Sequence, residues 1–306
     1  MRHRSSTLVF DQNSKTNVNS QLNNYLQLTR MDRPVGSLLL LWPTLAALWM
    51  AADGVPSFKL IVIFTLGTFL MRSAGCVIND YADRKVDGAV NRTQDRPLAT
   101  GAISTQAALG LFVCLAATAG LLVLFLNTVT QLLAIGGLLV AALYPFMKRW
   151  THLPQTVLGA AFSWGILMAW SAQDKGIHPD AILMFSGSLL WIVAYDTMYA
   201  MVDKADDLKV GVKSTAILFG DLDRAIIAFL QLSAWVVFAL LGRKLGYQHA
   251  FFVGLAVCAG LFIRQQFMIR GREPQACMRA FVNNIYVGFA LFAGTAIELG
   301  IREYGI

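Results

Sequence analysis

Apolar residues in this chain fall into long blocks, and charges mark where the blocks end. Segments 34–52, 97–147 and 150–173 carry no charge over 19, 51 and 24 residues. Segments 225–242, 245–263 and 280–297 add 18, 19 and 18 more. Two further apolar stretches are 60–78, broken only by Arg72, and 181–195. A helix needs about 20 apolar residues to cross a bilayer, so the block of 51 holds two spans, with a turn near Asn127 and Thr128. The pattern predicts nine spans: 34–52, 58–78, 105–125, 129–147, 154–172, 181–201, 224–242, 247–265 and 280–299. Alternating strand patterns are absent, which argues against a barrel. The expected fold is all-α, a polytopic integral membrane protein.

Composition agrees. Hydrophobic residues make up 56% and charged residues 14%, against roughly 25% charged in an average soluble domain. The four cysteines show no CxxC spacing, so neither a disulfide framework nor a thiolate metal site is expected. Residues 1–27 read as a polar N-terminal tail without a signal peptide, and 28–306 as one membrane-embedded domain. With nine spans, the N-terminal side carries 19 Lys and Arg and the other side 5, with Arg72 inside a span. That bias places the N-terminus and the charged loops in the cytoplasm. The net charge of +7 fits contact with anionic headgroups and calls for no nucleic acid.

The acids are unevenly placed. Of 18 Asp and Glu, four lie in 79–95 and six in 196–223, each group just after a span. Positions four or seven apart share a helix face. Arg72, Asn79, Asp83 and Asp87 therefore form one polar line, and Asp196, Asp203 and Asp207 another. The two lines repeat at an offset of 124 residues, which hints at two related halves. Asp80, Asp95, Asp206, Asp221 and Asp223 read as ordinary solvated loop acids. Stacked carboxylates repel, and a cation between the two helices reverses that energy. Mg²⁺ is held by one or two carboxylates plus phosphate oxygens. Two acidic lines facing one cavity thus suit a diphosphate carried by Mg²⁺.

Such a leaving group needs cations. Candidates are Arg72, Arg92, Arg96, Lys148, Arg149 and Lys213, with Arg33 as a further candidate for a carboxylate or phosphate. Ordinary positive-inside loop charge accounts equally well for any single one, and Arg72 could simply pair with an acid such as Asp196. Tyr81, Tyr144, Tyr195 and Tyr199 lie near the clusters and could face a reactive cation. The four histidines are scattered and suggest no metal site. The many glycines within spans are explained by close helix packing rather than nucleotide binding.

These motifs resemble the membrane-embedded prenyltransferases of the UbiA superfamily. The resemblance runs from about Leu28 to the C-terminus. That family's NDxxDxxxD motif is matched by Asn79, Asp80, Asp83 and Asp87, and its DxxxD motif by Asp203 and Asp207. Finer similarity is to the branch that prenylates 4-hydroxybenzoate in ubiquinone synthesis, carried by residues 32–36, 40–44, 72–76, 144–149 and 213–216. The resemblance implies a helical bundle around a central cavity in the bacterial inner membrane, its active site facing the cytoplasm. It implies that Asn79, Asp83, Asp203 and Asp207 hold Mg²⁺ with Asp87 supporting. Arg72, Arg92, Arg96, Lys148 and Arg149 would bind the phosphates of a polyprenyl diphosphate, and C3 of 4-hydroxybenzoate would take the chain. Asp196 is the candidate base. Another acceptor (naphthoate, haem, a chlorophyll precursor) or an ion-coupled transporter remains an alternative, the last disfavoured because the acids sit at span ends rather than mid-membrane.

Overall fold

A computed structural model describes residues 20–85, 87–89, 92–173 and 176–305. The described residues are helical, with no strand among them. Nine long helices follow one another: α1 Val35–Ala52, α2 Phe58–Asp83, α3 Thr105–Val123, α4 Thr128–Trp150 and α5 Pro154–Ala172. Then come α6 Pro179–Val210, α7 Asp223–Lys244, α8 His249–Met268 and α9 Pro274–Tyr304, with a short helix Thr215–Phe219 between α6 and α7.

Local chemistry sets the helix ends. Ser57, Ser104 and Asn127 accept from the backbone N–H three residues on, satisfying a donor that the first turn leaves open. Proline occupies the first position of α5, α6 and α9, where its missing N–H is no loss. Asp53 and Gly211 end α1 and α6 in the left-handed conformation.

Among the described residues, eight helices are long and apolar enough to cross a membrane. The expected count of nine is not confirmed. The exception is α5, which is 19 residues long but carries buried Gln155, Ser163 and Ser171. The helices also run past the expected spans. Helix α6 continues nine residues beyond 201, and α9 begins six residues before 280, because polar ends stay helical outside an apolar slab.

Consecutive helices pack on each other from α4 through α9, and α9 closes the ring against α1. Helix α1 also crosses α5, and α6 crosses α9. Of its most apolar window, α6 buries 67%, whereas α3 and α4 bury 11% each. Leu121, Leu132 and Leu139 on these two helices are exposed, as is Phe125 in the turn between them. An apolar surface of that extent needs lipid, and the chain is a multi-pass membrane protein.

In lipid, helices associate by close contact rather than by the hydrophobic effect. At the α8–α9 crossing, a Cβ on Gly254 would stand 2.7 Å from the Ala290 carbonyl and 3.1 Å from the Gly294 Cα, so the backbones touch only because no side chain intervenes. Residues 20–29 form a further helical segment. It buries Leu28 with Val77, Leu98, Ile103 and Ala108, near the end of α2 that carries the first acidic motif.

Candidate active site

The ring of helices encloses a cavity of about 900 Å³. Most of its wall is apolar, with Leu39, Ile63, Phe64, Leu138, Phe162 and Met168 among the lining residues. Its polar end is built where α2 and α6 finish. Asn79 from α2 and Asp196, Asp203 and Asp207 from α6 line that end. They reach it because both helices continue past the apolar slab, so the seven- and four-residue spacings hold Arg72, Asn79 and Asp83 on one face of α2 and Asp196, Asp203 and Asp207 on one face of α6. Asp87 leaves the expected line, because α2 ends at Asp83 and Asp87 lies in a separate short turn. Arg33, Arg72, Arg92, Arg96, Tyr144, Tyr199 and Lys213 line the same cavity. Asp83 and Asp87 do not line it; Asp83 stands behind Asn79, whose amide nitrogen donates to it at 3.3 Å. Arg149 donates to the Ala82 carbonyl at 3.1 Å, which ties α4 to the end of α2. Lys148 lies in α4, but its side chain is outside the described residues.

Asp80 overturns its reading as a solvated acid. It is 1% exposed, and both its oxygens accept from Arg30, at 2.9 and 3.0 Å. Arg96 lies 2.9 Å from Asp80 and 3.0 Å from Asp87, so one guanidinium bridges two carboxylates. Asp223, also read as a solvated loop acid, is fully buried and held by Arg272 at 2.8 Å. Burial pushes Asp87 above the usual carboxylate range; the charges of Asp80 and Asp83 push the same way, and Arg96 opposes them.

Arg92 spans the two motifs. Its Nε donates to Asp203 at 2.8 Å, its Nη2 to the second Asp203 oxygen, and its Nη1 to the Tyr199 hydroxyl. The guanidinium carbon lies 4.6 Å from the centre of the Tyr199 ring. Burial alone would lower the Arg92 pKa, but Tyr199 and Asp203 more than reverse this and raise it.

Three polar atoms at this end are buried without a hydrogen-bond partner: Asn79 Oδ1, Arg72 Nε and the Tyr195 hydroxyl. A buried donor or acceptor left open is unfavourable by about 1–3 kcal/mol, so three around one cavity point to a polar ligand. Arg72 reaches its position because Gly36 of α1 has no side chain; a Cβ there would collide with Nε. Its guanidinium carbon lies 5.4 Å from the Phe162 ring centre.

The residue set fits a hard divalent cation: an unpartnered amide oxygen beside carboxylates on a facing helix. Among the described residues, no three carboxylate, thiol or imidazole groups come together closely enough to hold a metal unaided. That matches an ion completing its shell with ligand oxygens.

The UbiA prenyltransferase family matches residues 40–292, which span both acidic motifs and the cavity's walls save Arg30, Arg33 and the start of α1. The chain belongs to the UbiA prenyltransferase family. A relative from Vibrio cholerae, called 4-hydroxybenzoate octaprenyltransferase, is 56% identical over 275 residues, covering 90% of this chain and 97% of the relative. One of the same name from Marinobacter nauticus is 53% identical over 285 residues, covering 93% and 97%. The UbiA fold is also that of solved structures. A UbiA homolog from Aeropyrum pernix K1 superposes with a TM-score of 0.77 at 23% identity, covering 87% of this chain and 99% of that one. One from Archaeoglobus fulgidus, solved bound to GPP and Mg²⁺, gives 0.64 at 20%, covering 88% and 99%.

Within this UbiA site, sequence reasoning missed Arg30 and Gln155. Gln155 lines the cavity and accepts from the Thr215 N–H at 3.0 Å, which anchors the segment bearing Lys213. Its signal was a glutamine at the start of a charge-free run. Arg30 had the weaker signal of a basic residue before the first span.

Proposed function

We propose that this chain transfers a polyprenyl group from polyprenyl diphosphate to C3 of 4-hydroxybenzoate and releases diphosphate, a step of ubiquinone biosynthesis. Identity of 53–56% to relatives of that name over nearly the whole chain supports the acceptor. The observation that carries the chemistry is one cavity with an apolar body and a polar end where Asn79, Asp203 and Asp207 meet Arg72, Arg92 and Arg96.

The proposed roles follow from position. Asn79, Asp203 and Asp207 are the groups that would hold Mg²⁺ at the cavity wall, with Asp83 and Asp87 supporting them from behind. Bound there, Mg²⁺ would neutralise charge on the leaving diphosphate. Arg72, Arg92, Arg96 and Lys213 bind phosphate oxygens, with Lys148, Arg149 and Arg33 as outer candidates. Arg92 exchanges Asp203 for phosphate when substrate enters.

The C–O bond then breaks with its electron pair going to diphosphate, which leaves an allylic cation. Tyr144, Tyr195 and Tyr199 present aromatic faces or hydroxyls to it. The ring of 4-hydroxybenzoate, made electron-rich by its hydroxyl, attacks from the carbon ortho to that hydroxyl. The new C–C bond forms, and the proton at C3 passes to a base, for which Asp196 on the cavity wall is the candidate. An apolar, lipid-embedded cavity both dissolves a long isoprenoid and keeps water from the cation. The excess of basic residues on the motif side supports a bacterial inner-membrane protein whose site opens to the cytoplasm.

The test uses membranes containing the protein, labelled 4-hydroxybenzoate, a polyprenyl diphosphate and Mg²⁺. Lipid-soluble label that vanishes with EDTA and with Asp83→Ala is the expected result. Prenylation of a labelled naphthoate or of haem, with none of 4-hydroxybenzoate, would replace the acceptor; ion flux without diphosphate release would replace the reaction class.

A further inference from the structure

Outside the main cavity, a second large space opens on the outer face between α8 and α9. It is a groove of about 840 Å³. Its floor is made of small residues, where Gly254 and Gly294 let the two backbones meet. Its rims are exposed apolar side chains, among them Val253, Val257 and Phe289. An exposed apolar trough along two spanning helices faces acyl chains.

One end of the groove is different. Arg264 lies four residues before the end of α8, and Arg279 five residues after the start of α9. The helices run antiparallel, so the two guanidiniums lie at similar depth, at the end of the bundle that carries the acidic motifs. Both line the groove and both are exposed. Among the described residues, neither has an ion-pair or hydrogen-bond partner. Asp223, the buried carboxylate at the start of α7, is already held by Arg272 from the turn between α8 and α9. Two unpaired arginines over an apolar trough match one ligand chemistry: a phosphate monoanion attached to long hydrocarbon chains. Basic pockets between spanning helices bind acidic headgroups in this way.

The geometry points to a specific site for an anionic phospholipid of the bilayer in this groove, with Arg264 and Arg279 on its phosphate and an acyl chain between α8 and α9. Met278 and Val282 line both this groove and the main cavity. The lipid therefore lies one side-chain layer from the polyprenyl site, although the assignment stands independently of the reaction catalysed there.

Native mass spectrometry of the purified full chain tests it, with phosphatidylglycerol titrated against phosphatidylcholine of the same acyl chains. Phosphatidylglycerol adducts should persist at collision energies that strip phosphatidylcholine. Arg264→Gln with Arg279→Gln should weaken phosphatidylglycerol binding about 10- to 30-fold, whereas Arg270→Gln on the same side should not. Ala293→Trp, which fills the trough and keeps both arginines, should also reduce binding. Arg264→Lys with Arg279→Lys keeps the charge and should restore most of it. Equal retention of the two lipids, or unchanged binding in the double Gln variant, overturns the site. Inorganic phosphate competing as well as lipid would show an anion site without a lipid and overturn it equally.

Discussion

The two ends of this helical bundle both bury carboxylates, and they treat them differently. At the end away from the motifs, the buried acids Glu298 and Asp180 are consumed by structure. Glu298 is 4% exposed and accepts from the N–H groups of Gln248, Ala250 and Phe251, at 2.7, 3.1 and 3.4 Å, so it caps the start of α8. Asp180 is held by Lys244 across the α6–α7 pair. At the motif end only part of the acid is used that way. Asp80 and Asp87 are matched by Arg30 and Arg96. Beside them Asn79 Oδ1, Arg72 Nε and the Tyr195 hydroxyl are left without partners. A fold optimised for stability alone would not leave three such atoms around one space. The Tyr247 hydroxyl near Glu298 is unpartnered too, so the lesson is one of convergence: burial of acids does not mark a site, whereas buried acids beside several open donors and acceptors around one cavity do.

The sharpest way to break this contrast is to remove carboxylates from each end. Asp203→Ala should lower prenyl transfer about 10²- to 10³-fold, the scale of losing one electrostatic group at a reacting centre, with little change in thermal midpoint. Glu298→Gln should do the reverse, lowering stability by about 1–3 kcal/mol while the folded fraction keeps its rate. Rate assays and thermal denaturation on both variants would collapse the contrast if each lost both properties.

Gly36→Ala should be next in size, lowering activity about 10-fold by displacing the Arg72 guanidinium, a misplacement rather than a deletion. Arg72→Ala in the Gly36→Ala background should then lose little more than Arg72→Ala alone, which a double-mutant cycle reads directly. Lys244→Met should cost less than about 1 kcal/mol of stability, because that lysine is half exposed and its ion pair is screened.

The smallest effect concerns pH. Asp87 has its pKa raised in the folded protein by burial, so its protonated form favours the fold and that contribution is lost as pH rises through the raised value. Asp87→Asn cannot ionise, so its thermal midpoint should gain on the wild type as pH rises from about 5 to about 8 in EDTA. A gap that stays constant with pH would remove the burial argument.

Much of this architecture was legible because it rests on short-range rules. Blocks of uncharged residues gave the helix positions, since a backbone in hydrocarbon must satisfy its own hydrogen bonds. Seven- and four-residue spacings put Asn79 and Asp83 on one face and Asp203 and Asp207 on another, because helix pitch is local. At α5 the helix spans the expected residues, but buried Gln155, Ser163 and Ser171 make it less apolar than the other eight, so it is not counted among the helices apolar enough to cross a membrane. Helix ends ran past the spans for a related reason: loss of hydropathy does not end a helix unless a cap or glycine does.

What the chain determined by itself was therefore the set of helices and the faces that carry acid. Which acids hold structure and which face the cavity was decided only by tertiary contact. Arg30 meets Asp80 across 50 positions, and Arg92 meets Asp203 across 111. Periodicity repeats within one helix and carries no information about the partner helix. The division of charge between structure and chemistry arises where distant segments pack, since a carboxylate's role depends on whether a cation is within reach.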